Sequence, residues 1–130
     1  MNDDLGGVLS AAKEEDFIAQ DEACLGSDEH YNYFESLISG RDMHDPSSEP
    51  SDRFRKMFPA QVIKDASMAH CVSKLLDSDT ESKDSYLLLL GSGHMGYGFG
   101  VPERIFAARP DIQEQSYSIM TEEADSFVDL

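Results

Sequence analysis

One histidine, one tyrosine and one arginine stand close together where the chain is richest in glycine, in residues 87–104, LLLLGSGHMGYGFGVPER. His94 offers an imidazole that can ligate a metal ion or move a proton. Tyr97 offers a phenolate, a hard donor for iron, and Arg104 a guanidinium suited to a carboxylate. Gly91, Gly93, Gly96, Gly98 and Gly100 surround them, so a ligand can approach the backbone closely. A loop has little use for a histidine in packing, which turns His94 toward function. Alternatively the loop does no more than turn the chain, with Phe99 folding it down onto a core and Arg104 pairing with Glu103.

Gly91, Gly93 and Gly96 also spell G-x-G-x-x-G after an apolar run, the pattern of a phosphate cradle. In that fingerprint the helix starts inside the motif. Here Gly98, Gly100 and Pro102 delay it, and the surface is acidic, so a pyrophosphate is disfavoured. His30, His44 and His70 show no two-ligand spacing such as H-E-x-x-H, so any partners of His94 must converge in space or come from elsewhere. The expectation is that His30 and His44 lie on the solvated surface and His70 is a partly buried spacer. Cys24 and Cys71 form neither a C-x-x-C pair nor a secreted framework and read as two separate thiols.

The elements that must position the loop follow from periodicity. Ser27 before Asp28 and Glu29, with Gly40 beyond, brackets a helix over residues 28–38. Residues 1–10 read as a frayed end, and a weaker helical pattern covers 11–24. Residues 45–52, DPSSEPSD, read as an exposed linker. Val62, Ile63, Met68, Cys71, Val72, Leu75 and Leu76 predict an amphipathic helix over 58–76. Residues 86–90 suit a strand buried on both faces, Pro102 opens a helix over 103–108, and Pro110 with Asp111 ends it. Residues 115–120 alternate like a half-buried strand, and 127–130 begin another. The order predicts an α/β fold: a partial, largely parallel sheet with flanking helices and a right-handed crossover, preceded by an acidic helical or partly disordered segment.

Charge supports a division at residue 52. Residues 1–52 hold 14 acids and 2 bases, and residues 53–130 hold 12 acids and 8 bases, within a net charge of −16 for 130 residues. The expected organisation is a 1–52 acidic helical and linker segment followed by a 53–130 α/β unit. So negative a field disfavours nucleic acid and anionic membranes as partners. No apolar run approaches the roughly 20 residues of a membrane span, and the first residues lack a signal-peptide pattern.

Three stretches then carry a resemblance. Ala60-Gln61 with Asp65 and Met68-Ala69, residues 88–94 as LLLGSGH, and residues 100–104 as GVPER together resemble the ChaN-like haem-binding proteins of the superfamily that includes the Tiki proteases and erythromycin esterases. The resemblance spans about residues 54–128, and nothing in 1–52 supplies the upstream acidic G-E-x-H type motif. It therefore reads as the carboxyl-terminal half of the domain. It implies noncovalent haem binding tied to iron handling, with His94 or Tyr97 near the macrocycle, Arg104 near a propionate, and Gly93 and Gly96 lining the ligand. It further implies a homodimer or a missing amino-terminal half. The alternatives are half of a metal-dependent hydrolase site, with His94 holding a divalent ion, and a non-catalytic interaction remnant. Catalysis by the chain alone is not expected.

Overall fold

A computed structural model describes residues 3–23, 26–78 and 84–120. The described chain is helical: α1 (Asp3–Glu14), α2 (Asp28–Ser39), α3 (Phe58–Ser78) and α4 (Val101–Ala108), joined by short 3-10 turns, with no strand among the described residues. The expected α/β fold with a parallel sheet is thus overturned. Residues 86–90 are assigned to no strand, and the 115–120 segment is the end of a 3-10 turn, Pro110–Gln115, followed by residues without regular secondary structure. A parallel strand is stable only between hydrogen-bonded neighbours with both faces covered, and the described residues supply no neighbouring strand. The strand expected at 127–130 lies outside the described residues, as does Cys24. The amino-terminal stretch differs as well, since α1 begins at Asp3 and ends at Glu14, short of the region expected to be helical.

Local chemistry explains the helix ends. The Ser27 side chain accepts the His30 N–H at 3.0 Å, Asp28 and Glu29 occupy the first turn, and Gly40 takes the left-handed conformation (φ 72°) while donating to Ser36 O. At α4, Pro102 sits in the first turn, and the Glu103 carboxylate reaches back to the Gly100 N–H at 2.9 Å.

Helix α3 is the axis. It buries Phe58, Val62, Asp65, Ala66, Ala69 and Ser73, a single face at helical spacing. The expected stripe is rotated from this one: Cys71 and Leu75 are exposed, and Met68, Val72 and Leu76 are partly buried against a second cluster. Small residues occupy the centre of the true face because α4 and the glycine loop press against it. One core cluster joins Ile18, Tyr31 and Phe34 to Phe58, Val62 and Ala66, so residues on either side of position 52 share a core. The other joins Ala69 to Val101 and Ile105, with Leu90 at its margin.

A turn after α1 is tied to α3 by polar contacts. Asp16, itself left-handed at φ 56°, accepts from His70 Nε2 and from Lys74 Nζ, each at 2.8 Å.

Candidate functional site

The glycine loop folds onto the middle of α3, and Asp65 is where they meet. This carboxylate is fully buried. Its Oδ1 lies 2.6 Å from His94 Nδ1, a length typical of a charge-assisted bond. A carboxylate can only accept, so Nδ1 carries the proton and donates. Gln61 Nε2 also lies 3.0 Å from that nitrogen; one of its two hydrogens goes to Gly93 O at 3.0 Å, and a protonated Nδ1 does not accept the other. The imidazole is therefore held by a carboxylate on one nitrogen, and its Nε2 makes no hydrogen bond to a described residue. About a quarter of the side chain remains exposed, at 26 %.

Behind Asp65 stands His30, which the sequence reading placed on the surface. It is fully buried instead, stacked on Phe99 (5.4 Å between rings, 11° between planes) and edge-on to Phe58 at 5.0 Å. Its Nε2 lies 3.7 Å from Asp65 Oδ2, and its Nδ1 lies 3.8 Å from Glu103 Oε1. Among the described residues, neither ring nitrogen, nor Asp65 Oδ2, has a hydrogen-bond partner. Burial pushes the His30 pKa below 6.5; Glu103 opposes that shift, and the Arg104 and His94 charges add to it. Burial likewise raises the Asp65 pKa, against the pull of the His94 hydrogen bond and the Arg104 charge.

Close approach explains the glycines. A Cβ on Gly96 would enter the Tyr33 ring, and Tyr33 donates to Ser92 O at 3.0 Å, so Gly96 serves to seat the loop on α2. Burial is the main cause that raises the Tyr33 pKa, with Tyr97 adding to it. Gly93 faces Leu37, whose Cδ1 is 3.3 Å from where a side chain would begin. Tyr97 adopts a left-handed conformation (φ 55°) uncommon for a residue with a side chain. It is 60 % exposed, packs edge-on against Tyr33, and shares a 2.8 Å hydrogen bond with His44 Nε2. Arg41, bonded to the buried Glu35 at 2.6 Å, anchors the segment that carries His44.

Arg104 does not point with His94 and Tyr97 into the open. Its guanidinium donates to Gly100 O and Glu103 Oε1, each at 3.0 Å, and Nε is 3.7 Å from Glu22, so it braces the loop onto α4. A groove of about 480 Å³ lies behind Glu103, lined by Gly98, Phe106, Ala107 and Gln113, and His94 is not among its walls.

The sequence reading singled out His94 and assigned no part in the site to the two groups behind it. Asp65 and Gln61 stood within the motif on α3 but were given no role. His30 falls four residues before Phe34 on one helical stripe, the spacing that signals a buried face. Among the described residues no group of three or more His, Cys, Asp and Glu side chains is arranged to hold a metal ion, and no helix is long and apolar enough to cross a membrane.

Comparison with known proteins gives one match. A family described as haem-binding uptake, Tiki superfamily, ChaN matches residues 1–105. The match begins at residue 1 rather than near residue 54, so it takes in the acidic segment as well as α3 and the glycine loop. No curated protein and no solved structure matches the chain.

Proposed function

Since the chain belongs to the ChaN family of haem-binding uptake proteins in the Tiki superfamily, we propose that it binds haem noncovalently and that His94 is the residue turned to the iron. One observation supports this above the others: an imidazole whose Nδ1 is committed to Asp65 at 2.6 Å, and whose Nε2 has no hydrogen-bond partner among the described residues, in a glycine-lined loop. A carboxylate on one ring nitrogen fixes the tautomer, orients the ring and makes the other nitrogen a better donor. Haem would supply an iron open to axial ligation and the redox chemistry of that metal.

The surroundings suit such a group. Leu37 and Tyr97, both exposed, offer apolar surface beside the loop, and Gly91 and Gly93 keep side chains from its approach. No C-x-x-C-H motif is present to attach a porphyrin covalently. Arg104, with its donors directed at Gly100 and Glu103, holds the loop rather than a propionate in this reading. Tyr97 is the second candidate donor, because its hydroxyl stands at the surface and needs only to leave His44. A single loop presents donors to one face of a macrocycle; we assign the other face to a second copy of the chain or to a further segment. The hydrolase alternative needs more metal donors than the described residues bring together.

A hemin titration followed by absorbance and size exclusion tests this, with His94→Ala and Tyr97→Phe beside the parent chain. The expected result is saturable binding with a Soret band that His94→Ala weakens or shifts, and a complex that elutes earlier than the free chain. An unchanged Soret band in His94→Ala, with a shifted one in Tyr97→Phe, would move the ligand to Tyr97. A folded chain that shows no saturable binding would overturn the haem reading.

A further inference from the structure

We infer that His30 is a positioning residue: it is the second imidazole beside the Asp65 carboxylate, with its Nε2 proton directed at Oδ2 across 3.7 Å so that Oδ1 stays turned to His94. The inference deepens the reading of His94 as the ligand-facing residue, and it rests on that reading for its consequence at the ligand.

An imidazole with no hydrogen bond to either nitrogen is costly to bury, and an apolar ring between Phe58 and Phe99 would avoid the cost. What the imidazole adds is an N–H beside a buried charge. The neutral ring has one such proton and two carboxylates to choose between. Glu103 Oε1 already receives the Gly100 N–H at 2.9 Å and Arg104 Nη1 at 3.0 Å. Asp65 Oδ2 accepts no hydrogen bond from a described residue and sits 3.7 Å from His30 Nε2. The proton therefore belongs on Nε2, facing Asp65.

The remaining side of Oδ2 is closed by Gly100, where a Cβ would come within 2.8 Å of that oxygen and 2.7 Å of His94 O. Oδ2 is thus held between His30 and the start of α4, and Oδ1 has only His94 to face. Without the N–H behind it, the carboxylate gains freedom to rotate, and the 2.6 Å bond that orients His94 loosens.

The test is NMR of the ligand-free chain with labelled histidines, alongside hemin affinity. The nitrogen shifts of the parent should show His30 protonated at Nε2, and the His94 Nδ1 proton should resonate far downfield, as in short charge-assisted bonds. His30→Phe keeps an aromatic ring in the slot but removes the donor. It should move or abolish the downfield resonance and weaken hemin about tenfold, while His30→Gln, which keeps an N–H, restores part of both. Val62→Ala, a core change on the helix that carries Asp65, should leave the resonance in place.

A parent His30 protonated at Nδ1 overturns the proposal without any variant, and so does a His30→Phe resonance that matches the parent. If His30→Phe does not fold, the parent nitrogen shifts and His30→Gln decide the matter. A parent that binds no hemin sinks the haem reading but leaves the NMR result to judge His30.

Discussion

Two neighbouring segments show how differently apolar and polar residues fare here. Residues 86–90 are the most apolar stretch of the chain, yet Leu87 and Leu89 are 86 % and 83 % exposed. A few residues on, the polar groups His94, Asp65, His30 and Glu103 converge, and two of them are wholly buried. Hydrophobicity supplies a tendency to leave water, but burial needs a surface to be buried against. Leucines 87 and 89 have none among the described residues, whereas Asp65 and His30 lie on helix faces that α2, α3 and α4 bring together. The lesson is that register on a helix outweighed residue type.

The contrast can be broken most forcefully at its tightest point. Gly100→Ala places a Cβ against His94 O and Asp65 Oδ2 at a residue with φ 73°. It should cost about 3 kcal/mol, read from urea unfolding, because overpacking and left-handed strain add. A cost under about 1 kcal/mol would mean the cluster is loosely packed. Next in size, Asp65→Ala removes the acceptor that orients His94 and should weaken hemin binding by about 10- to 100-fold. Equal affinities would detach Asp65 from ligand binding.

Acid offers a subtler probe. The folded chain holds His30 at a pKa below 6.5, so the unfolded chain binds that proton first. The stability this group contributes is complete above pH 6.5 and declines as the pH falls from 6.5 toward the folded value. Asp65 runs the other way: its folded pKa lies above 3.8, so acidification through that interval relieves its burial cost. Urea unfolding between pH 7.5 and 5.5 should therefore show stability declining with acid in the parent and a flatter profile in His30→Phe. Parallel profiles would remove His30 as the source.

The smallest effect belongs to the leucines. Leu87→Ser with Leu89→Ser should change stability by less than about 0.5 kcal/mol, as for other surface changes, while lowering dye binding to exposed apolar surface. A loss above about 1.5 kcal/mol would show that these side chains are covered after all.

Much of the local structure was legible. Ser27, Gly40 and Pro102 marked helix ends through the backbone groups they satisfy or lack, and α3 announced itself by periodicity. The face of α3 was only partly legible: Val62 was on the expected stripe, but Ala66 and Ala69 are no more apolar than Met68, Val72 and Leu75, and their burial depends on what packs against them. The strands misread for a related reason. A run such as LLLL states that it would be stable between neighbours, and it does not state that neighbours exist.

By itself, then, the sequence determined α2, α3 and α4, the caps of α2, the proline start of α4 and a glycine loop that sets a histidine apart, since these follow from hydrogen bonds and sterics within a few residues. Only the tertiary structure decided that Asp65 and His30 stand behind that histidine and that Arg104 turns away from it. Those contacts join residues 29 and 35 positions apart along the chain, pairing Asp65 with His94 and with His30, and no local rule reaches across such distances.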